Sequence, residues 1–351
     1  MKKNMRAALD DGTGRYVVKD FPMPEKIKDY ALIKIRQSGI CGSDLHLTTK
    51  RLKDNEKQLL PGGHEIAGEI IEIPTGGHNF SIGDRVAIEG IGAGKACLKC
   101  FYCNNGQWKH CQYPTKDTGG GFAEYMTRKP TGLFKIPDNV DWLDAALVEP
   151  LAVAVHGIRY AEMKPNSIVG IVGASTIGLA CVGVAKFFGA SKVIVSAKHK
   201  HQAEAAKKMG ADIITCAEKG EFEEVCKSQT NGKGADLIVE SIGGYQTDTF
   251  HQAISSTRSQ GSMLYLGGVK VPLVFDMFAP LIREIKIISS ICYGMIDGQH
   301  DFDLAIKILS ENYFPYREIV THTYTLEDIQ KGIEVAANKN SGSIKVHIKQ
   351  W

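Results

Sequence analysis

No apolar run in this chain approaches the ~18 residues that a membrane-spanning helix needs, so the sequence predicts no bilayer span. Excess charge is also missing. Lys and Arg total 42 against 39 Asp and Glu, a net charge of +3, too small to predict a nucleic-acid or membrane surface. The opening MKKNMRAAL is basic but runs straight into DDGTGR; it lacks the apolar segment of a secretory signal. Internal repeats and low-complexity stretches are absent as well. These absences leave a cytoplasmic protein without nucleic-acid or membrane partners as the expectation. A chain of 351 residues exceeds one ordinary core, so two domains are expected.

Cysteine, by contrast, is plentiful. Nine cysteines without a secretory signal favour a reducing compartment and metal use. Four of them, Cys97, Cys100, Cys103 and Cys111, follow a Cys-x2-Cys-x2-Cys-x7-Cys pattern in ACLKCFYCNNGQWKHC. Thiolates this close in sequence can converge on one tetrahedral zinc at Zn–S distances of ~2.3 Å. Four protein ligands leave no position for a substrate, so the expected ion is structural. Two disulfides are disfavoured because nothing else in the chain looks secreted. A ferredoxin-type run would place its last cysteine after three residues and follow it with proline, whereas here Gln112 follows. Of the remaining cysteines, Cys181, Cys216, Cys226 and Cys292 are scattered, and small apolar filler is the expected role for most of them.

Strand and helix patterns divide the chain. Up to about residue 150, YALIKIRQSG, EIAGEIIEI and DRVAIEG alternate apolar and polar positions between Gly and Pro breaks, as strands of a compact β unit do. Beyond Glu149-Pro150 the short apolar strands SIVGIVG, KVIVSA, DIITC, DLIVES, SMLYLGG and EIKIISSI alternate with helical segments such as EAAKKMG and FEEVCKSQ. That alternation predicts a parallel, doubly wound sheet. After about residue 293, two helices and the final strand SIKVHIKQW are expected to return to the first domain. The fold class is therefore α/β. The boundaries fall at 1–152 for the first part of the β-rich domain, 153–293 for the dinucleotide-binding domain and 294–351 for the return segment.

A second set of metal-ligand residue types is dispersed: Cys41 in GICGSDLH, His64 and Glu65 in PGGHEIAG, and Glu149 in LVEPLA. A thiolate, an imidazole and a carboxylate suit a zinc site with one open position. With Cys41 and Glu65 bound, the ion carries no net charge and remains a Lewis acid; adding Glu149 would make the site negative and weaken it. Glu65 and Glu149 are therefore expected to alternate, or one to act through a water. Spacing alone does not establish this site, since an isolated His-Glu pair is ordinarily a satisfied surface or core pair.

GICGSDLH, GGHEIAGEI, the four-cysteine lobe, GGGFAEY and VEPLAVAVHG, in this order, resemble the zinc-containing medium-chain alcohol dehydrogenases. The subgroup resembled is that of the polyol (sorbitol-like), butanediol and threonine dehydrogenases. The resemblance covers essentially the whole chain. It implies a GroES-like catalytic domain interrupted by a Rossmann domain. It also implies one catalytic and one structural zinc, with Cys41, His64 and Glu65 holding the former and Glu149 at its fourth position. Asp44 resembles the carboxylate that orients His64. Ser43 resembles the hydroxyl that takes the alcohol proton, and His46 the histidine that relays it to solvent.

The strand SIVGIVG runs into Gly173-Ala174-Ser175-Thr176-Ile177-Gly178, a turn of the kind that cradles a pyrophosphate at a helix N-terminus. Ser175 stands where the G-x-G-x-x-G pattern has its middle glycine, which bears on cofactor affinity. The next strand ends in Ala197 where NAD-binding chains carry the acidic residue for the ribose 2′-OH. Lys198 and Lys200 follow, so NADP is the expected cofactor in preference to NAD. The resemblance places Ile177, Ser241, Leu266, Gly267, Gly268, Ser290 and Ile291 along the rest of the dinucleotide cleft.

For the substrate pocket, the resemblance implies that Leu47 stands in place of an aromatic residue. Cys292-Tyr293 replaces an arginine-tyrosine pair, with Tyr293 retained. A less polar pocket argues against sorbitol. It favours a secondary alcohol or ketone: a vicinal diol, an acyloin, another polyol or a modified sugar. The expected activity is zinc-dependent hydride transfer between NADP(H) and such a substrate, in a homotetramer or homodimer. A zinc-free enoyl or quinone reductase would lack Cys41, His64, Glu65 and Glu149 as ligands. A non-catalytic relative with weakened cofactor binding would account for Ser175 but not for the metal and relay residues.

Overall fold

Ala31, Ile33 and Ile35 take alternate positions along YALIKIRQSG, and all three are fully buried in strand Ala31–Ile40. This strand is central to a seven-stranded sheet. In space the order is Val320–Thr325, Lys345–Lys349, Ala31–Ile40, Glu65–Glu72, Arg85–Glu89 and Leu133–Lys135, and Tyr125–Arg128 also pairs with Ala31–Ile40. The computed structural model describes residues 3–45, 60–218 and 220–351, with Lys339 by its backbone alone. Ile33, Ile35, Ile66, Ile70, Val86, Ile88 and Met126 pack into one core of this sheet. Each such side chain contributes about 1.5–3 kcal/mol relative to exposure. Ile40, Phe122, Leu326, Ile329, Val346 and Ile348 form another core, bringing the C-terminal strand into the same unit.

The four-cysteine lobe carries only short helical turns, at Ala93–Lys95, Phe101–Asn104 and Trp108–His110. Trp108 stacks on His300, with ring centroids 5.0 Å apart and planes 16° apart. His300 Nε2 in turn lies 2.9 Å from the buried Glu89 carboxylate. Residues up to Glu149, Asp297–Ser310 and Ile319–Trp351 make one compact unit, and Pro150–Ile296 with Glu311–Glu318 make the other.

The second unit holds six parallel strands in the order Ile213–Thr215, Lys192–Ser196, Ile168–Val172, Ala235–Glu240, Thr257–Tyr265, Lys286–Ser289. In chain order this is 3-2-1-4-5-6, and the order reverses between Ile168–Val172 and Ala235–Glu240. That reversal is the switch point at whose carboxyl end doubly wound sheets bind ligands. Phe222, Cys226, Ile238, Phe250 and Met263 fill one face. Cys181 and Cys226 are the buried filler expected, and burial pushes both thiols up to about 12. Cys216 is exposed. Among the described residues no helix is long and apolar enough to cross a membrane.

Candidate active site and metal centres

In the lobe, Cys100 Sγ lies 3.5 Å and Cys97 Sγ 3.8 Å from Cys103 Sγ. These separations are far beyond a disulfide bond of about 2.05 Å. A tetrahedron with Zn–S bonds of ~2.3 Å has edges of about 3.8 Å, so the sulfurs already stand where one ion would hold them. All four, with Cys111, lie within 4.8 Å of one another. The backbone favours thiolate in places: Cys97 N–H donates to Cys111 Sγ at 3.2 Å. N–H groups of Gln112 and Cys103 bring Cys100 down to about 6. Burial and the neighbouring sulfurs push Cys103 up to about 12. A divalent cation would allow four such sulfurs to ionise together.

The second set assembles at the end of a strand pair. Antiparallel register puts Gly39 opposite Glu65, so Cys41, just after one strand, meets His64 and Glu65 at the start of the next. Their donor atoms lie within 4.8 Å of one another. Gly39 is required here, because a Cβ at that position would sit 1.8 Å from Glu65 Oε2. Asp44, buried, accepts a hydrogen bond from Cys41 N–H at 2.9 Å. Its other oxygen is 3.7 Å from His64 Nδ1, a charge contact rather than a hydrogen bond. Burial alone would lower His64, but the hydrogen bond to Cys41 and the charges of Cys41, Asp44 and Glu149 hold it well above its ordinary value.

Glu149 lies in the first turn of helix Val148–Tyr160 and is buried. Burial, reinforced by Glu65 and Asp44 against His64 and Lys345, raises it to about 7. Among the described residues it stands outside the mutual 4.8 Å set. Ser43 is exposed in the turn 42–45. His46 and Leu47 lie outside the described residues.

One residue of this site escaped the sequence reading. Lys345 Nζ donates to Glu65 Oε1 and Oε2 at 2.6 and 2.7 Å and to the Ile40 carbonyl at 3.0 Å. Burial would lower this lysine, yet Glu65, Cys41 and Glu149 keep it above its usual value. Its only sequence signal was a lysine on an inward-facing position of the final apolar strand.

In the second unit, Gly173 takes φ 102°, and a Cβ on Gly178 would meet the Gly173 carbonyl at 2.0 Å, so helix Thr176–Phe187 can approach strand Ile168–Val172 only without side chains there. Ser175 has φ −88°, which any residue adopts. Ser241 Oγ donates to the carbonyls of Val172 and Gly173 at 2.9 and 3.2 Å, fixing this turn. Glu240, also missed from sequence, accepts from the N–H groups of Ile242 and Gly243 and from Thr249 Oγ1 at 2.8–3.0 Å. Thr176 and Ile177 are half-buried in the turn after the first strand. Ala197 is buried at the end of Lys192–Ser196, with Lys198 and Lys200 exposed beyond it. Leu266, Gly267 and Gly268 follow Thr257–Tyr265, and Ser290, Ile291, Cys292 and Tyr293 follow Lys286–Ser289. The carboxyl ends of the strands therefore gather every proposed cofactor residue on one edge of the sheet. Cys292 has φ 59° and Tyr293 is buried.

Residues 28–138 match the alcohol dehydrogenase GroES-like domain, and residues 176–311 match the zinc-binding dehydrogenase family. The chain is 32% identical to the sorbitol dehydrogenase of Bacillus subtilis (strain 168), over 99% of this chain and 97% of the relative. It is 28% identical to the D-xylulose reductase A of Aspergillus oryzae, over 94% of this chain and 93% of the relative. A solved structure from Sinorhizobium meliloti 1021, bound to NADP, superposes with a TM-score of 0.87 at 24% identity, over 99% of this chain and 100% of the other.

Proposed function

This chain belongs to the zinc-containing medium-chain alcohol dehydrogenase family, in its polyol subgroup, and on that premise we propose that it transfers hydride between NADP(H) and a secondary alcohol or ketone. The observation that carries the proposal is the convergence of Cys41, His64 and Glu65 donor atoms within 4.8 Å. Cys41, His64 and one carboxylate would hold a catalytic zinc, and Cys97, Cys100, Cys103 and Cys111 a structural one. Lys345 bonds both oxygens of Glu65, which favours Glu149 as the one carboxylate that would bind the ion directly. With the Glu65 charge cancelled by Lys345, Cys41 and Glu149 balance a divalent ion.

The zinc, when bound, supplies Lewis acidity that lowers the pKa of an alcohol, and the nicotinamide accepts the hydride. The chain's own residues do the rest. Asp44 fixes the Cys41 loop through the Cys41 N–H and biases His64 by charge. Lys345 holds the Glu65 carboxylate in place through bonds to both of its oxygens. Ser43 receives the substrate proton, and His46 passes it to solvent, since an imidazole of pKa ~6.5 exchanges protons readily near neutrality. Gly173, Ser175, Thr176, Ile177 and Gly178 cradle the pyrophosphate at a helix N-terminus. Ser241, Leu266, Gly267, Gly268, Ser290 and Ile291 line the cofactor beyond it. Ala197, with Lys198 and Lys200, selects the 2′-phosphate.

The identities of Leu47, Cys292 and Tyr293 favour a substrate with fewer hydroxyls than sorbitol, such as a diol, an acyloin or a modified sugar. We read residues 1–152 and 294–351 as the catalytic domain and 153–293 as the dinucleotide domain. A homodimer or homotetramer in the cytoplasm is the expected setting. Edge strand Lys286–Ser289 and the exposed Met277, Phe278, Leu281 and Ile282 beside it offer a surface for a second copy. The deciding experiment assays small diols, acyloins, polyols and their ketones with NADPH and NADH in parallel. Turnover of a secondary alcohol or ketone that is lost in Cys41→Ser and depressed in Ser43→Ala supports the proposal. Absence of turnover across the panel by protein carrying its full metal complement overturns it.

A further inference from the structure

A cavity of about 660 Å³ lies on the edge of the parallel sheet opposite the Gly173 turn. Lys227, Lys233, Arg258 and Arg283 line it, with Ser255 and Ser259. Among the described residues no carboxylate lines it. Four cations in one concavity repel each other and focus a positive field outward.

The chain holds them there by specific contacts. Gly234 has φ 95°, and a Cβ on it would sit 2.7 Å from the Ser256 carbonyl. The turn bearing Lys233 is thereby pressed against the segment that carries Arg258. Arg258 Nε donates to Asp236 at 2.7 Å, which aims its guanidinium. Arg283 donates to the carbonyls of Ile254 and Thr257. Asp236 and these carbonyls orient the two arginines but leave the wall cationic. Lys227, in the last turn of helix Glu221–Ser228, and Lys233 have no carboxylate partner among the described residues.

We propose that this cavity is a second anion site, which binds a small phosphate ester or diphosphate. The volume suits a whole small ligand rather than a single ion. Arg258 and Arg283 keep N–H donors beyond those given to Asp236, Ser259, Ile254 and Thr257, which can reach phosphate oxygens, and the two lysines add mobile charge. The site is separate from the dinucleotide turn. Lys233 lies just before strand Ala235–Glu240 and Ser241 just after it, so about 20 Å of strand divides them at ~3.3 Å per residue. A bound anion would bridge the helix end at Lys227 to Arg283, ahead of the edge strand, and would stabilise the fold in proportion to its occupancy.

The test titrates inorganic pyrophosphate calorimetrically into full-length protein saturated with NADPH, so that the dinucleotide site is filled. Saturable binding near one equivalent per chain is expected, weakening as salt rises. The double variant Lys227→Gln/Lys233→Gln should weaken it at least about tenfold while leaving NADPH affinity and thermal stability unchanged. Three results would each overturn the proposal: no saturable binding at millimolar pyrophosphate, equal binding by the double variant, or binding that NADPH abolishes.

Discussion

Lys345 and Glu65, 280 positions apart in the chain, form a buried ion pair in which one ammonium bonds both carboxylate oxygens, at 2.6 and 2.7 Å. Removing one partner leaves the other as an uncompensated buried charge, which typically costs ~3–5 kcal/mol. Lys345→Met should therefore lose about that much unfolding free energy in urea. Adding Glu65→Gln to it should recover part of the loss. Additive, sub-kcal effects of the two substitutions would mean the pair contributes no coupling.

Metal content follows from two ligand sets of different character. Metal analysis of purified protein should give two zinc ions per chain. Cys100→Ser should lose one of them together with thermal stability, because metal binding energy here is folding energy. Cys41→Ser should lose the other, abolishing turnover while the melting temperature changes little. A single zinc in protein prepared without chelators would contradict the assignment.

Cofactor choice rests on Ala197, a residue 6% exposed at the end of its strand. kcat/KM should favour NADPH over NADH by at least about tenfold, ~1.4 kcal/mol. Ala197→Asp should move that ratio toward NADH. The substitution also places a carboxylate in a buried position, so the ratio of the two cofactors, not absolute activity, is the quantity to compare.

His347 gives a pH dependence of stability. Burial, helped by Lys345 and opposed by Asp141, depresses this histidine to about 3. Gln37 Nε2 lies 3.3 Å from its Nδ1 and donates to it, which requires the neutral ring. Below its ordinary pKa of ~6.5 the unfolded chain binds a proton that the fold refuses. Stability should therefore fall as pH drops from about 6.5 towards 3, by up to ~1.4 kcal/mol per unit from this group. Melting curves of His347→Leu should show a shallower slope over pH 4–6, whatever its absolute stability. An unchanged slope would place the acid sensitivity elsewhere.

The surface offered to a second copy is open to a direct test. Phe278 and Leu281 are 65% and 70% exposed. Phe278→Glu/Leu281→Glu should convert an oligomer to a smaller species in light scattering, with far-UV circular dichroism retained. An unmutated protein already monomeric at micromolar concentration would remove the proposal.

Local patterns in the sequence determined a good deal. Alternation in YALIKIRQSG gave a strand with a buried face, and the strand-helix alternation after Pro150 gave a parallel sheet, because periodicity reports which side of an element meets a core. Cysteine spacing within 97–111 fixed a convergent sulfur lobe, since ligands that near in sequence need no distant partner. Folding decided what depends on register between remote strands. Gly39 opposite Glu65, and Val346 opposite Ile40, bring Lys345 against the Glu65 carboxylate. No spacing in the sequence encodes that meeting. The same holds for Glu240, whose buried carboxylate anchors the turn after its strand, and for Lys227, Lys233, Arg258 and Arg283. Each is an ordinary basic residue in sequence, and only the parallel sheet, by aligning the starts of its strands, gathers them around one cavity.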